Sequence, residues 1–572
     1  MNNSTEIILT ELPNDSSTTE NKNDARYLSD NKRQFLISVS TLSIVSGYFA
    51  WATYYYLNYS DFGWNEFIST TCTGYGLLVI LYCFFIYGYL NVYFVRPLVY
   101  PIFKNSINLF KYKLNNAVNK STGLQIIRRF SDKIFYLSTF SAIAIYLAID
   151  TKDNRNRLIS ISGLIIFLFI GYIFSNNRSK INWKTVIWGI ILQFTFGLIT
   201  IRWELGRNIL ECIGDKVNTL LNYAFSASEF PFGVELVRNQ QVFAFRALST
   251  IYFISFLVNI LYYYGIMQKV VLSLGNLLQF LMDTSICESV NSAANIFLGM
   301  TEAPLLLSPY LKNLTDSEIH SIMLSGFATV AGSVMAAYIN YGARPQDLIT
   351  ASIMSAPAAL CYSKLMYPET EEVKMRKENI RETKMEYTSV LEAASKGVSN
   401  AVNLVHGIIA GLIAFLAAVY FINGVLGWLG ELVGFTESVL SLELISGKIF
   451  IPVSYIMGVP WSECEYVGTL IGIKTMVNEF VAFERMHTMI NAGMLSNRTK
   501  VVATYAICGF SNPASIGIMT SAFSTLIPNK SDVITRVVFR AWFGGALVCF
   551  MTACIAGAVM PEEAILESIQ SH

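Results

Sequence analysis

Two glutamates lie inside long apolar stretches of this chain. They are the strongest candidates for a functional site in the sequence. Glu302 ends the run GMTE, and Glu479 follows Val-Asn in the run VNE. A carboxylate inside a membrane-spanning segment is costly, so by default it marks a functional site. Its oxygens can accept hydrogen bonds from the hydroxyl groups of a polar solute. The alternative for either glutamate alone is a buried ion pair with a lysine or an arginine.

Each glutamate is followed by a small, polar, glycine-rich break in an apolar span. The first break is Gly326–Ser333 (GFATVAGS) and the second is Cys508–Ser515 (CGFSNPAS). The spacing from the glutamate is 31 residues to Ser333 in the first case and 33 residues to Asn512 in the second. A broken helix frees carbonyl and N–H groups, which a membrane tolerates only where they line a cavity. Free carbonyls with an Asn or Ser oxygen suit a hard monovalent cation.

Composition shows the environment of these residues. The chain has 572 residues, 53% hydrophobic and 14% charged, with a mean hydropathy of +0.45. Soluble proteins carry about 25% charged residues. With 41 Lys and Arg against 40 Asp and Glu, no positive field attracts a polyanion. These values exclude a nucleic-acid-binding protein and a soluble enzyme, and they predict an all-α polytopic protein in the lipid bilayer.

A membrane span needs about 20 apolar residues, and the sequence predicts eleven transmembrane helices. They are 35–57, 73–95, 134–149, 157–175, 185–204, 249–268, 320–341, 346–366, 403–427, 500–522 and 537–560. Two further apolar stretches, 284–312 and 449–487, contain Pro, Gly, Asn and Glu and are expected to be re-entrant hairpins. Segment 205–246 is amphipathic and is expected to lie on the outer surface.

Basic residues predict the orientation, because they mark cytoplasmic loops. Segment 96–133 has eight basic residues and one acidic residue, so it is expected to be cytoplasmic. The N-terminus is then cytoplasmic, the C-terminus is extracellular, and the protein lies in the cell membrane. The two hairpins then enter from opposite faces. Inverted repeats with broken helices that meet near the midplane are typical of secondary transporters.

Enzyme motifs and metal-binding cysteine spacings do not occur in this sequence. It has no P-loop, GxSxG, HExxH or kinase signature, so the protein is predicted not to be an enzyme. The nine cysteines have no metal-ligand spacing and are interpreted as buried thiols without a disulfide framework.

Taken together, the motifs resemble those of the concentrative nucleoside transporter family, from about residue 157 to residue 560. The segments that carry the resemblance are Gly299–Leu306, Gly326–Ser333, Ala351–Pro357, Lys364, Tyr367–Glu369, Val477–Ala482 and Cys508–Gly517. The resemblance implies a homotrimer in which a scaffold region holds the trimer. A transport region that contains both hairpins moves as an elevator, and a cation gradient, usually of sodium, drives nucleoside uptake.

The resemblance also assigns a substrate site. The matching positions are Met300, Thr301, Glu302, Glu479, Phe510, Asn512 and Ser515. The first three are expected near the nucleobase and neighbouring groups, and Phe510 is expected to line the pocket near the base. The remaining three are expected to bind the ribose hydroxyls.

For the co-transported sodium ion, the resemblance assigns four residues. Asn295 and Ser333 match side-chain ligands, whereas Leu298 and Val334 stand where the family uses backbone carbonyls. A proton-coupled carrier remains the nearest alternative, because a glutamate inside the membrane can carry a proton. A passive channel and a membrane-embedded enzyme are more distant possibilities.

The sequence departs from the family pattern at Met300, where many members have Gln. A thioether cannot donate a hydrogen bond to a base, and methionine adapts to different shapes. The predicted preference is therefore for purine nucleosides, with uridine also carried.

The sequence predicts seven regions along the chain. They are a disordered cytoplasmic tail (1–34), an N-terminal three-helix extension (35–150), scaffold helices with interfacial segments (151–283), the first hairpin with transport-domain helices (284–366), a linker with a scaffold helix (367–448), the second hairpin with transport-domain helices (449–560) and a C-terminal tail (561–572).

Overall fold

The structure, a computed structural model, describes residues 39–58, 72, 74–91, 122–152, 154–240, 242–307, 310–373, 387–434 and 440–560. The predicted tails 1–34 and 561–572 lie outside these ranges. All regular secondary structure in the described ranges is helical. The α-helices are α1 (39–58), α2 (Gly74–Leu90), α3 (Thr122–Asp150), α4 (Leu158–Ile173), α5 (Trp183–Gly197), α6 (Glu204–Phe232), α7 (Phe243–Arg246), α8 (Ser249–Tyr263), α9 (Ile266–Met282), α10 (Ile286–Ala294), α11 (Asp316–Ala328), α12 (Gly332–Asn340), α13 (Pro345–Met366), α14 (Val390–Leu432), α15 (Leu442–Ile456), α16 (Cys464–Met476), α17 (Glu479–Asn491), α18 (Asn497–Ile507), α19 (Pro513–Leu526) and α20 (Ser531–Val559).

The chain forms two compact units, residues 1–132 and residues 133–572. In the first unit, two hydrogen bonds join α1 to α2. The Tyr75 hydroxyl donates to Thr53 Oγ1 at 2.9 Å, and the Tyr82 hydroxyl donates to Ser46 Oγ at 3.0 Å. The predicted end of the N-terminal extension at residue 150 coincides with the end of α3, and the division into seven regions stays a prediction.

Within the described ranges, five helical segments are long and apolar enough to cross a membrane by length and composition. They are Arg155–Ile173, Trp183–Arg202, Phe243–Tyr263, Pro345–Met366 and Pro528–Val559. The predicted spans 320–341 and 500–522 are each divided into two helices, and 403–427 is the middle of the 43-residue helix α14. Helix α9 was not predicted as a separate element. The number of spans and the membrane re-entry of the hairpins stay predictions.

Helices α13 and α20 form the centre of the second unit. Nearly every residue of α13 is buried, and α20 packs against α4, α11, α13 and α18. A Cβ atom at Gly545 of α20 would lie 2.5 Å from the Cβ of Phe327 in α11, so the glycine permits this close approach. Small residues serve the same purpose at helix contacts in other membrane proteins.

Residues 286–313, here called the Glu302 segment, consist of α10, a turn and two short 3₁₀-helices. Capping boxes begin both α10 and α11. Lys364 of α13 forms ion pairs with Glu288 at 2.9 Å and with Glu369 at 3.4 Å. It also donates to Ser317 Oγ at 2.9 Å. The motif residue Lys364 therefore anchors the starts of both helices.

The break between α11 and α12 is Thr329–Ala331, which lies within the predicted Gly326–Ser333. Thr329 and Ala331 both have extended backbone. The N–H of Gly332 donates to the carbonyl of Phe297 at 3.1 Å. This bond attaches the turn of the Glu302 segment to the helix break.

Residues 464–491, here called the Glu479 segment, repeat this arrangement. Val477 and Asn478 separate α16 from α17, and the Asn478 side chain caps α17 by accepting from the Val481 N–H. The break between α18 and α19 is Cys508–Asn512, within the predicted segment. A long buried helix follows each broken helix: α13 follows α12, and α20 follows α19.

The cysteines differ from the expectation at two positions. In the described residues Cys83, Cys287, Cys361, Cys464, Cys508, Cys549 and Cys554 are free thiols, and all but Cys83 are buried. Cys72 and Cys212 are each disulfide-bonded. The interpretation of all nine as thiols is therefore wrong for these two, because a spacing pattern alone does not show which cysteines meet in the fold.

Candidate functional site

A cavity of about 690 Å³ brings together every residue that the sequence assigned to the substrate. These residues are Met300, Thr301, Glu302, Glu479, Phe510, Asn512 and Ser515. The remaining lining residues are Gly299, Ala331, Val334, Leu404, Gly407, Ile408, Asn478, Phe480, Ala514 and Ile518. The cavity therefore lies where the Glu302 segment, the Glu479 segment, both helix breaks and α14 meet.

Glu479 and Asn512 form the polar centre of this cavity. Asn512 Nδ2 donates to Glu479 Oε2 at 2.6 Å, and Asn512 Oδ1 accepts from the Ser515 N–H at 2.8 Å as the N-cap of α19. Because Asn512 makes both bonds, the start of α19 fixes the position of the carboxylate. Glu479 is only 2% exposed, so its remaining lone pairs are available to a ligand in the cavity and not to bulk water.

Tyr338 of α12 is a second partner of this carboxylate. Its hydroxyl donates to Glu479 Oε1 at 3.3 Å, and its ring stacks on Phe483 with centroids 4.6 Å apart. Tyr338 is fully buried. The residue belongs to the first broken helix, so it connects the first repeated region to the carboxylate of the second. Tyr338 was not predicted from the sequence, because a tyrosine in an apolar span is indistinguishable there from a packing residue.

Glu302 and Met300 occupy the other side of the cavity. Glu302 is partly buried, and its Oε2 accepts from the Gly299 N–H at 3.3 Å within the turn. Met300 lies directly against Gly326 of α11, where an added Cβ would be 2.7 Å from Met300 Cβ. Gly326 therefore allows Met300 to reach the cavity.

Asn295 ends α10 beside the first helix break. It is completely buried, and its Nδ2 donates to Ser325 Oγ at 3.1 Å, whereas its Oδ1 has no hydrogen-bond partner among the described residues. A buried amide oxygen without a partner calls for a ligand, a water molecule or an ion. Hydrogen bonds from Asn291 to the Ile322 carbonyl and from Gly332 to Phe297 show that α10 and α11 run side by side up to this point.

The break contains Thr329 and Val330, which were not predicted from the sequence as ligands. They lie between Ser325, the partner of Asn295, and Gly332, the partner of Phe297. Thr329 Oγ1 donates to the Ser325 carbonyl at 2.9 Å and keeps its lone pairs for a cation. The signal in the sequence was the break itself, because the last carbonyls of a helix have no partner within that helix.

The other predicted sodium ligands have different outcomes. Leu298 is buried in the turn after Asn295, and the role of its carbonyl stays a prediction. The Ser333 side chain lies outside the described part of the chain, so its role stays a prediction. Val334 lies inside α12 and lines the substrate cavity. A carbonyl inside a helix is already hydrogen-bonded, so the structure favours the break carbonyls over that of Val334.

Three family models match this chain. "Na+ dependent nucleoside transporter N-terminus" matches residues 162–235, "Nucleoside recognition" matches 244–344, and "Na+ dependent nucleoside transporter C-terminus" matches 347–557. Together they include the cavity and both broken helices.

Curated relatives and solved structures are similar over most of the chain. Sodium/nucleoside cotransporter 2 of Rattus norvegicus is 40% identical over 75% of this chain and 67% of the relative. Solute carrier family 28 member 3 of Eptatretus stoutii is 40% identical over 87% of this chain and 75% of the relative. CNTnw in an inward-facing substrate-bound state is 35% identical, with a TM-score of 0.66 over 70% of this chain and 97% of that chain. The chain is thus a multi-pass membrane protein that belongs to the concentrative, Na⁺-dependent nucleoside transporter family.

Proposed function

We propose that this protein is a secondary symporter that imports nucleosides on an inward sodium gradient. One observation carries the proposal: Glu302, Glu479 and Asn512, from three separate elements, line one cavity, and the buried Oδ1 of Asn295, four residues before the turn that lines this cavity, has no hydrogen-bond partner among the described residues. The two carboxylates and the Asn512 amide suit a hydroxyl-rich neutral solute, and the Asn295 oxygen suits a monovalent cation.

The ribose binds at Glu479, Asn512 and Ser515. Glu479 can accept hydrogen bonds from ribose hydroxyls in addition to those from Asn512 and Tyr338. Since the ribose is common to all nucleosides, these contacts set the affinity for the whole class. A nucleotide is excluded, because its phosphate would face two carboxylates in a site of low dielectric constant.

The nucleobase lies near Met300, Thr301 and Glu302, with Phe510 beside it. Met300 offers an adaptable apolar surface and no hydrogen-bond donor. This supports a preference for purine nucleosides, with uridine also accepted.

The sodium ion binds between the C-terminal end of α10 and the first helix break. Its ligands are Asn295 Oδ1, the Leu298 carbonyl and groups of Thr329 and Val330, with Ser333 as a further ligand. The partial negative charge at the ends of α10 and α11 also favours a cation there. A bound ion would hold the turn in the conformation that presents Thr301 and Glu302 to the substrate.

Two surface features support the proposal that the protein is a trimeric, elevator-type transporter with the predicted orientation in the membrane. Helix α14, which lines the cavity through Leu404 and Gly407, also carries exposed Tyr420, Phe421 and Trp428. Such an apolar face suits lipid or neighbouring protomers. Cys72 and Cys212 both fall on the outer side of the charge-based topology, where an oxidising environment preserves disulfides.

The test of this function is the mutual effect of the two ligands. In detergent-purified protein, inosine affinity is measured by calorimetry in sodium and in choline, and sodium affinity is measured with and without inosine. The two ligands should raise each other's affinity by the same factor, about 5- to 150-fold. Inosine binding of equal affinity in both salts would overturn sodium coupling. Binding of adenine but not of adenosine would overturn the ribose site.

Met300→Gln is expected to raise cytidine uptake relative to inosine uptake about three- to tenfold, since a neutral hydrogen bond contributes about 0.5–1.5 kcal/mol. The glutamine amide gives the pyrimidine a donor and an acceptor that the thioether lacks. Competing uptake of the two labelled nucleosides measures the ratio. Met300→Leu, which adds no polar group, is the control, and an unchanged ratio in Met300→Gln contradicts the placement of the base.

Gly326→Ala is expected to raise the nucleoside concentration for half-maximal uptake about tenfold, because overpacking costs about 1–3 kcal/mol. The new methyl group would lie 2.7 Å from Met300 Cβ and 2.8 Å from Met519 Cε, so the turn must move. Gly517→Ala is the matched control, because its Cβ meets no atom within 4 Å. If the nucleoside concentration for half-maximal uptake were equal in the two variants, nucleoside binding would not depend on this position of Met300.

A further inference from the structure

A lysine inside the second repeated region has a position that the proposed transport mechanism leaves unexplained. Lys474 is completely buried in the last turn of α16, five residues before Glu479. In the described part of the chain, no carboxylate lies within ion-pair distance of its ammonium. A charged group buried in a membrane protein without such a partner is costly, so it is expected to have a function.

The contacts of Lys474 lead to the second helix break. Its Nζ donates to Ser511 Oγ, between the end of α18 and the start of α19. The hydroxyl of Thr475, the next residue, is buried without a hydrogen-bond partner among the described residues. Glu479, whose carboxylate lines the cavity, follows five residues later in the same segment. Lys474 thus connects the Glu479 segment to the second helix break.

The first repeated region also contacts its helix break five residues before its glutamate, but it does so through a backbone carbonyl and without a lysine. Phe297 lies five residues before Glu302, as Lys474 lies five residues before Glu479. Phe297 contacts the first break through Gly332, and Lys474 contacts the second break through Ser511. In both regions two helices end at the contact: α10 and α11 in the first, α16 and α18 in the second. Helix C-termini carry partial negative charge, so each pair of ends favours a cation.

We propose that the Lys474 ammonium is a tethered cation that occupies, in the second repeated region, the place that the transported sodium ion occupies in the first. It attaches the Glu479 segment to the second break and compensates the charge of Glu479. The first region has an orphaned Asn295 oxygen in place of a lysine, so it must take a cation from solution. The inference rests on the proposed function and adds a stoichiometry of one transported cation for each nucleoside.

The first measurement uses the unmodified protein. In proteoliposomes with the membrane potential clamped by potassium and valinomycin, the nucleoside gradient that just stops net flux gives the charge moved per nucleoside. The expected ratio is one, and a ratio of two would overturn the inference. An absence of sodium-dependent flux would instead overturn the proposed function, so the two failures are distinguishable.

The second measurement removes the tethered charge. Lys474→Ser leaves a space next to Ser511, and the hydroxyl oxygens of the two serines can bind a second sodium ion, so the charge ratio is expected to rise from one to two. Lys474→Arg keeps the charge and is expected to keep the ratio at one, with half-saturation within about tenfold of the unmodified protein. A ratio of one in Lys474→Ser would show that no cation is needed there.

Loss of transport also has a defined meaning in this series. If Lys474→Ser assembles but does not transport while Lys474→Arg does, the positive charge is the required property, as proposed. If both variants assemble and neither transports, the shape of lysine is required and not its charge, which overturns the inference. If the serine variant does not assemble, the ratio measured for the unmodified protein remains the deciding result.

Discussion

Glu479→Gln is expected to raise the nucleoside concentration for half-maximal uptake at least about a hundredfold. The substitution keeps the shape of the side chain but replaces one acceptor oxygen by a donor and removes the charge. Hydrogen bonds to charged groups contribute about 1.5–3 kcal/mol each, and about 1.4 kcal/mol corresponds to a factor of ten. The new amide would also oppose the Asn512 Nδ2 or the Tyr338 hydroxyl, both of which now donate to Glu479.

The control for this variant is Glu484→Gln, the same substitution at an exposed position of the same helix. It is expected to transport normally. A comparison of uridine with 3′-deoxyuridine sharpens the test: the unmodified protein should prefer uridine, and Glu479→Gln should lose most of this preference. Both variants should assemble normally. If the nucleoside concentration for half-maximal uptake by Glu479→Gln lay within about threefold of that for the unmodified protein, Glu479 would be excluded from the ribose site.

Asn295→Ala is expected to raise the sodium concentration for half-maximal uptake about ten- to a hundredfold, the range for the loss of one interaction with a charged group. The alanine removes the orphaned Oδ1 and leaves the backbone carbonyls of the turn and the break in place. At saturating sodium, nucleoside affinity should recover toward that of the unmodified protein, because the substrate site itself is unchanged. Sodium titrations of uptake at fixed nucleoside concentration measure this effect.

Asn340→Ala is the matched control, since Asn340 lies at the far end of α12 from the break. Its sodium dependence should equal that of the unmodified protein. If Asn295→Ala kept the same sodium dependence and lost nucleoside affinity alone, Asn295 would belong to the substrate site. A third variant, Thr329→Val, keeps the side-chain shape without the hydroxyl and tests the break residue that the structure adds.

The sequence was sufficient to predict most of the polar residues that line the cavity. Glu302, Glu479 and Asn512 are polar residues in apolar stretches. Burying such residues in a membrane is costly, so they usually belong to a functional site. Their matched spacing indicated that two distant parts of the chain have the same role, and the structure places all three in one cavity. The family resemblance supplied Ser515 and Phe510, which lie in the same cavity.

The sequence was insufficient where a role depends on the exact residue at which a helix breaks or on how separate helices pack together. A run such as Gly326–Ser333 shows that a helix breaks but not at which residue, and the break at Thr329–Ala331 changes which carbonyls are free. Tyr338 and Lys474 could not be assigned, because their roles depend on contacts with Glu479 and Ser511 from other helices. The cavity lining from Leu404 and Gly407 depends on how α14 packs, which no local pattern encodes.

The most direct test of the central claim is uptake of labelled inosine and uridine into proteoliposomes, with an inward sodium gradient compared with an inward potassium gradient at one fixed pH. Accumulation of nucleoside above equilibrium with sodium, but not with potassium, is the predicted result. Uptake that ignores sodium and follows a pH gradient would keep the cavity and identify the proton as the driving ion. No uptake of either nucleoside under any gradient would contradict the account.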